Sequence, residues 1–386
     1  MYPSLYYAIK DLFGLNIPAL KMIQSFGLFV ALAFLAGAYL WTLELKRKES
    51  EGLLTTTTKK TLIGQKATSS ELVVSGLLGF LLGFKLLYII FNFSAFSQNT
   101  QGFLLSTNGN IIGGIALAAI MAYFKYREKE KEKLPEPKWI EQTIHPFQEA
   151  GNMTLIAALT GLLGAKIFHN LENWDDFMAD PMGSILSFSG LTMYGGLICA
   201  SIACIYYGHK HKITVTHLID AAAPSLMLSY AIGRIGCQVA GDGDWGIDNI
   251  SPKPSWLNWA PDWIWSYDYA HNVNSVGVPI ENCINDRYCN HLVPSVFPTP
   301  FYETIMCLIL FILLWNLRKK ITTPGVLFSV YLIFNGIERF TIEHIRVNTL
   351  YHIGNFGFTQ AQLISTLLFL TGVTGVIYFK KKARIT

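Results

Sequence analysis

Charge is what this sequence has least of. Of 386 residues, 30 are Lys or Arg and 26 are Asp or Glu, 15% in all, where a soluble domain carries about a quarter. With 51% hydrophobic residues beside it, that shortage excludes an ordinary soluble protein. No basic patch marks a soluble face, which excludes nucleic-acid binding. No metal-ligand spacing is present, so neither a metal nor a cofactor is expected. No cleavable signal peptide is expected, because the first apolar run is too long and has no small-residue cleavage site.

What is present is a series of long apolar runs. Runs of about 18 or more residues with almost no charge read as transmembrane helices. Nine candidates lie near 20–44, 70–93, 110–126, 150–170, 191–208, 216–240, 299–317, 323–346 and 358–379. The loops between them alternate in charge. One set is basic: Lys46, Arg47, Lys48, Lys59 and Lys60, then 125–138, then 209–212, then Arg318, Lys319 and Lys320, then Lys380, Lys381, Lys382 and Arg384. The other set is poor in Lys and Arg, and includes Glu172, Asp175, Asp176, Asp180 and the long segment 241–298. Positive residues mark cytoplasmic loops. The expectation is an all-α polytopic membrane protein of about nine transmembrane helices, N-terminus outside and C-terminus cytoplasmic, with a small extracytoplasmic cap.

The mixed-charge stretch 127–138 reads as a solvated cytoplasmic linker. In the cap, Trp256, Trp259, Trp263 and Trp265 suit either a membrane-interface position or the core of a small fold. Cys283 and Cys289 are close enough in sequence for a disulfide in an oxidising compartment, and free thiols are the alternative.

Residues 81–109 resemble 162–190. Gly83, Lys85, Asn92 and Phe96 recur as Gly164, Lys166, Asn173 and Phe177, and Gly113-Gly114 as Gly195-Gly196 after a one-residue shift. The pattern indicates a duplicated helix pair in one orientation. The second copy keeps more polar residues (His169, Glu172, Asp175), so it reads as the functional copy and the first as structural.

Ionisable groups inside spans are costly and mark function by default. Arg234 sits between Gly233 and Gly236, near the outer end of a span, and leads to Asp242 and Asp244. Its planar fork suits phosphate oxygens. Arg339, Glu343 and Arg346 are spaced i, i+4, i+7 and so would share one helix face. Two arginines to one carboxylate leave surplus positive charge, which fits an anionic ligand. Tyr302 and Glu303 open another span, where Glu303 either caps the helix or orients an arginine. Lys166 with His169, and Tyr194 before Gly195-Gly196, form a further polar group. His344 reads as an interface residue, and Asp220 with Pro224 as a helix-packing pair.

These residues resemble those of the prolipoprotein diacylglyceryl transferase family over about 150–246 and 297–380, plus the first span. GRIGCQVAGDGDWG resembles G-R-x-G-N-F-x-N-x-E followed by Trp-Gly. FPTPFYE resembles H-P-S-Q-x-Y-E, and ERFTIEHIR resembles R-F-x-x-E-x-x-R. LLGAK…ADP…GLTMYGGLI resembles G-A-R…DP…G-M-S-x-H-G-G-L-I. The resemblance implies an enzyme that moves the diacylglyceryl group of phosphatidylglycerol to the thiol of a lipobox cysteine in a prolipoprotein, releasing glycerol phosphate, in the bacterial cytoplasmic (inner) membrane. By position Arg234 and Arg339 would hold the phosphate, supported by Glu343, Arg346 and Glu303, with Asp242 or Asp244 where the family has Glu. Tyr194 and Glu343 count among the catalytic candidates, and Lys166 and Tyr302 among the lipid-binding ones. The chain departs from the family where His becomes Tyr194, Asn becomes Cys237, the first-span Tyr becomes Phe26, and H-P-S begins with Phe297. His169 is a substitute base, and Cys237 reads as a passive small residue or a nucleophile.

The resulting organisation is 1–19 interfacial, 20–69 first span and cytoplasmic loop, 70–127 extra helix pair, 128–240 first part of the transferase-like core, 241–298 cap, and 299–386 second part of the core. Two other readings stand beside the transferase. One is a non-catalytic relative that binds phospholipid or lipoprotein as a partner subunit, and the other is a transporter, suggested by the repeat.

Overall fold

A backbone without water can satisfy its N–H and C=O groups within one segment only as a helix. The computed structural model describes residues 1–98, 100–187, 190–283, 287–353 and 356–384, and the chain is mostly helical. In order, the first half runs α1 (Leu5–Phe13), α2 (Ser25–Ser50), β1 (Thr57–Ile63), α3 (Ser69–Phe91), α4 (Phe93–Gln98), α5 (Thr100–Leu105), α6 (Ile111–Lys131) and β2 (Lys138–Ile144). The second half runs α7 (Ala150–Glu172), α8 (Trp174–Ala179), α9 (Pro181–Leu186), α10 (Met193–Lys210), α11 (Val215–Ala240), α12 (Thr299–Leu317), α13 (Val326–Ile342) and α14 (Gln360–Ala383), with short two-stranded ribbons between. Six of these helices are long and apolar enough to cross a membrane: α2, α3, α7 with the turn before it, α11, α12 and α14. The helices α6, α10 and α13 stand at the other three expected places. Outward side chains such as Leu35, Leu81, Ile90, Ile112 and Leu163 are exposed, a surface that lipid rather than water would cover.

By packing, the chain separates into two compact units. One comprises 56–145 and 156–204. It holds both copies of the repeat, and the copies fold alike. The short helices α4 and α8, and α5 and α9, start and stop at matching positions. The Asn92 side chain donates to the Tyr88 carbonyl at 3.1 Å, and Asn173 to that of His169 at 2.9 Å. The two long helices of each copy cross at glycines. A Cβ on Gly113 would lie 2.7 Å from the Gly83 oxygen, and one on Gly195 2.7 Å from the Gly164 oxygen. Small residues let apolar helices approach closely where the hydrophobic effect does not drive them together.

The same unit contains a ribbon that the sequence reading missed. Strand β1 pairs antiparallel with β2, placing Lys60 opposite Glu141. Lys59 and Lys60 of the basic loop thus lie on a strand, whereas Lys46, Arg47 and Lys48 end α2; of the mixed-charge linker, 127–131 continue α6 and only Lys138 joins β2. Threonines and isoleucines favour the pleat, and the Lys60–Glu141 pair joins opposite charges across it.

The other unit comprises 1–55, 146–155 and 205–386. Its central helix is α11. Gly37 of α2 faces Ser229, whose hydroxyl donates to the Ala33 carbonyl at 2.9 Å. Ala223, Met227 and Ala231 of α11 bury a core with Cys307, Leu314 and Leu327. Helices α13 and α14 cross at Gly336 and Gly372. Asp220 accepts from the backbone N–H groups of Gly325 and Phe328 at 2.7 and 2.8 Å, so it caps α13 and fills the packing role expected of it.

Two boundaries differ from expectation. The first span begins at Ser25, after a 3-10 turn over Pro18–Met22. Helix α13 ends at Ile342, a 3-10 turn follows over Glu343–Ile345, and Arg346 is extended. Arg339, Glu343 and Arg346 therefore do not lie along one continuous helix face.

The cap, 241–298, is pinned by buried Tyr269, Leu292 and Val296. The amino group of Met1 donates to the Ala270 carbonyl at 2.6 Å. The tryptophans divide between the two readings. Trp263 packs on Phe301 and Trp265 on Phe297, whereas Trp256 and Trp259 are 71% and 81% exposed. Cys283 and Cys289 form a disulfide.

Candidate functional site

The site is built where α11, α12 and α13 meet the base of the cap. Arg234 lies six residues before the end of α11, Glu303 four residues after the start of α12, and Arg339 three before the end of α13. At 1.5 Å per residue all three sit within about 5–9 Å of the cap end of their helices. Arg346 reaches the same place from the strand-like segment beyond α13, where Gly246 and Arg346 form a β-bridge. A Cβ on Gly246 would collide with the Ile345 carbonyl, so only glycine lets these two strands close up.

Glu303 is the hub. Its side chain is fully buried and touches all three arginines: Arg234 Nε at 3.1 Å, Arg339 Nη1 at 3.4 Å and Arg346 Nη1 at 3.2 Å. The Tyr230 hydroxyl also donates to it at 3.2 Å. Asp244 bridges two of the same arginines. It pairs with Arg234 Nη1, and with Arg346 Nη2 at 2.8 Å. Arg339 Nη2 meets Glu343 at 2.8 Å. Glu343 in turn accepts from Thr359 and Asn348, each at 2.6 Å. Glu303 therefore orients arginines, which decides between the two roles open to it.

The surplus of positive charge expected from the sequence is not what the structure holds. Three guanidinium groups meet three carboxylates, those of Asp244, Glu303 and Glu343. Burying an unpaired charge is costly, so the partners come from three different elements. Two features still leave room for an anion. Arg346 Nε is buried with no hydrogen-bond partner. The Asp244 side chain is 37% exposed, against 9% for Arg234 and Arg346. An incoming anion could take its place on the two guanidiniums.

The structure also separates the two acids that the sequence left open. Asp244 reaches the arginines. Asp242 accepts from the Asp244 N–H at 3.3 Å and lies beside Cys237, with no ion pair to an arginine among the described residues. Gly241 and Gly243, both at positive φ, turn the chain through this segment, and the two carboxylates stay within 4.8 Å of each other. Burial would push the Asp244 carboxyl up, but Arg234 and Arg346 outweigh it and hold it below the usual carboxylate range. Burial and the neighbouring Asp244 push Asp242 up.

Tyr302 donates to the Ile264 carbonyl at 2.6 Å and so ties α12 to the cap. Lys166 and Tyr194 belong to the unit that holds the repeats. Lys166 lines a polar cavity of about 270 Å³ with His169, Asp180 and Ser184. Tyr194 is half-buried at the start of α10. The counterpart of Lys166 in the first copy, Lys85, is spent on the Phe103, Ser106 and Asn108 carbonyls. Cys237 is buried, 3.7 Å from Arg234 Nη1. His344 is exposed, with its ring edge-on to Phe340 and a bond to the Phe340 carbonyl one turn back.

Two site residues went unnoticed in the sequence. One is Tyr230, one turn before Arg234, whose ring lies under the guanidinium at 5.2 Å. The other is Glu338, 2% exposed, with no hydrogen-bond partner on either oxygen. Its signal was plain: an acid inside a span, next to Arg339.

Residues 112–378 match the profile of a family described as prolipoprotein diacylglyceryl transferase. The chain belongs to this family. Among similar proteins is the phosphatidylglycerol–prolipoprotein diacylglyceryl transferase of Dehalococcoides mccartyi (strain ATCC BAA-2266 / KCTC 15142 / 195). It is 28% identical over 232 residues, which cover 60% of this chain and 76% of the relative. The protein of the same name from Lysinibacillus sphaericus (strain C3-41) is 28% identical over 282 residues, 71% of this chain and 87% of the relative. That from Leptospira interrogans (serovar copenhageni, strain Fiocruz L1-130) is 26% identical over 279 residues, 59% and 78%. This is a family of transferases, and the chain is mostly helical with six helices, among the described residues, long and apolar enough to cross a membrane. The matched segment contains all three arginines as well as Tyr194 and Lys166, and it begins after the first copy of the repeat's leading helix α3.

Proposed function

We propose that this chain moves the diacylglyceryl group of phosphatidylglycerol onto the thiol of a lipobox cysteine in a prolipoprotein and releases glycerol phosphate. The observation that carries the reading is the convergence of Arg234, Arg339 and Arg346 on Glu303 at one depth, with a spare donor on Arg346 and a part-exposed Asp244. Sulfur attacks a glycerol carbon, the C–O bond to phosphate breaks, and charge grows on the departing phosphate. Fixed guanidinium donors aimed at that charge stabilise it at the moment it forms. Arg234 and Arg339 take the phosphate oxygens. Arg346, Glu303 and Glu343 hold them in place, and Asp244 yields its position to the headgroup. The relatives' names supply phosphatidylglycerol and prolipoprotein as the two substrates. Basic loops alternating with acidic ones support an inner-membrane orientation with the arginine cluster toward the outer leaflet.

The test is direct. Purified protein is incubated with labelled phosphatidylglycerol and a lipobox peptide, and the thioether product is sought. Product that disappears in Arg234→Ala and Arg339→Ala supports the transferase. Lipid bound without turnover supports the second reading, a partner subunit, which the replacement of the family histidine by Tyr194 and the neutralised arginines favour. Uptake of lipid or solute into vesicles would support transport.

A further inference from the structure

The thiol must lose a proton before or as it attacks, and the residue the family places in its H-G-G motif is Tyr194 here. In the resting site none of the three paired carboxylates is free to take that proton. Asp244, Glu303 and Glu343 are each committed to an arginine. Glu338 is not. It lies on α13 directly before Arg339, is 2% exposed, and has no donor on either oxygen among the described residues. A buried carboxyl without partners is expensive to keep and contributes nothing to packing that an apolar side chain would not do better.

The groups around it are those of the site. Arg234 of α11, Glu303 and Cys307 of α12, Arg339 on its own helix and Arg346 beyond it all act on Glu338 electrostatically. Tyr230 of α11 and Tyr331 of α13 complete its surroundings. The neighbouring helix α14 offers no competing group, because 360–377 contains no acidic, basic, cysteine or tyrosine residue. Both oxygens are closed to solvent, as suits a group that must exchange its proton with a substrate and not with water. Contacts of this kind close only in the substrate complex.

Resting on the transferase reading above, we propose that Glu338 is the proton acceptor for the substrate thiol. The S–H bond breaks and the proton passes to a Glu338 oxygen. Sulfur bonds to the glycerol carbon, and the C–O bond breaks with its electron pair left on the phosphate oxygen. That oxygen then takes the proton from Glu338, so the carboxylate is regenerated and glycerol phosphate leaves.

The experiment compares Glu338→Gln, Glu338→Asp and Glu338→Leu in the full chain, in detergent with phosphatidylglycerol and a lipobox peptide. Glu338→Gln should lower kcat by about 100-fold or more, leave KM for phosphatidylglycerol within about threefold, and abolish the acid limb of the kcat profile. Glu338→Asp should recover part of the rate. Glu338→Leu should raise the thermal midpoint while abolishing turnover, which a merely structural residue would not do. A Glu338→Gln variant with kcat within about threefold of the unmutated chain, or one that keeps the acid limb, overturns the proposal. If the unmutated chain makes no product, the transferase reading fails on its own. Infrared difference spectra then decide for Glu338: a carboxyl band that responds to phosphatidylglycerol vesicles and is missing in Glu338→Gln supports a proton-exchanging group at the headgroup site, and an unresponsive band overturns it.

Discussion

The two ends of the bundle built on α11 each carry a buried ionic cluster, and they are made differently. At the end remote from the cap, Glu44 of α2 is 2% exposed and holds two arginines, Arg47 at 2.8 Å and Arg318 at 2.5 Å. Arg47 also meets Glu51 at 2.6 Å, and Arg318 lies flat on Trp315 at 3.3 Å from the ring centre. Arg318 donates as well to the Trp315 carbonyl. Glu44, Arg47, Glu51 and Arg318 are all paired with one another, and the cluster ties the end of α2 to the end of α12. At the cap end three arginines share a carboxylate, one carboxylate is part-exposed, and, among the described residues, Arg346 Nε and both Glu338 oxygens have no hydrogen-bond partner. Evolution can complete a pinning cluster, as the first shows. Leaving one incomplete is costly unless something else completes it.

The largest expected effect comes from exchanging arginine for lysine at both ends. Lysine keeps the charge and loses the planar fork. Arg234→Lys should cut thioether formation by about 100-fold, the scale of losing one fixed donor to the developing charge. Arg318→Lys should leave turnover per folded molecule within about twofold. Equal losses in the two variants, measured with the labelled lipid, would erase the functional difference between the clusters.

The next effect is on stability and has the opposite pattern. Glu44→Ala leaves Arg47 and Arg318 without their shared partner in a largely buried place. The cost should be about 3 kcal/mol, seen as a lower thermal unfolding midpoint, with turnover of the surviving folded molecules unchanged. A midpoint that does not move would mean that the remote cluster is solvated and pins nothing.

Much of the cap-end cluster was legible, for physical reasons that differ residue by residue. Arg234, Glu303 and Arg339 could be placed at a common depth because helices fix 1.5 Å per residue from a recognisable end. Arg346 was assigned to the right place on the wrong element, because a single 3-10 turn after Ile342 is not visible in an apolar periodicity. The charge balance was misread because pairing counts only groups that meet, and Asp244 and Glu303 come from other elements. Choosing between Asp242 and Asp244 required knowing which carboxylate meets Arg234 and Arg346 across the fold. The β1–β2 ribbon was hidden because its lysines read as a basic loop. The repeat was the reverse case. Matched glycines in the sequence are matched helix crossings in the structure, since Gly83 with Gly113 and Gly164 with Gly195 touch at equal distance.

The smallest effect separates the two neighbouring acids at the cap end, which have opposite signs. Asp244 is held below the usual carboxylate range, because Arg234 and Arg346 outweigh the burial that would raise it. A depressed folded-state value stabilises fully above the ordinary carboxylate range near about 4, and that stabilisation is lost as the pH falls through the depressed value. Asp242 is raised by burial and by Asp244, so its ionisation opposes folding, and the opposition grows as the pH rises through its ordinary range. Asp244→Asn should therefore lower the thermal midpoint at neutral pH, by an amount that shrinks on acidification below about pH 4. Asp242→Asn should raise the midpoint at neutral pH and do nothing in acid. Thermal melts of the two variants across pH 3 to 8 read both signs at once. If they moved together, the arginine pairing that distinguishes Asp244 from its neighbour would carry no energy, and the cap-end cluster would be no more than a collection of charges sharing a crowded space.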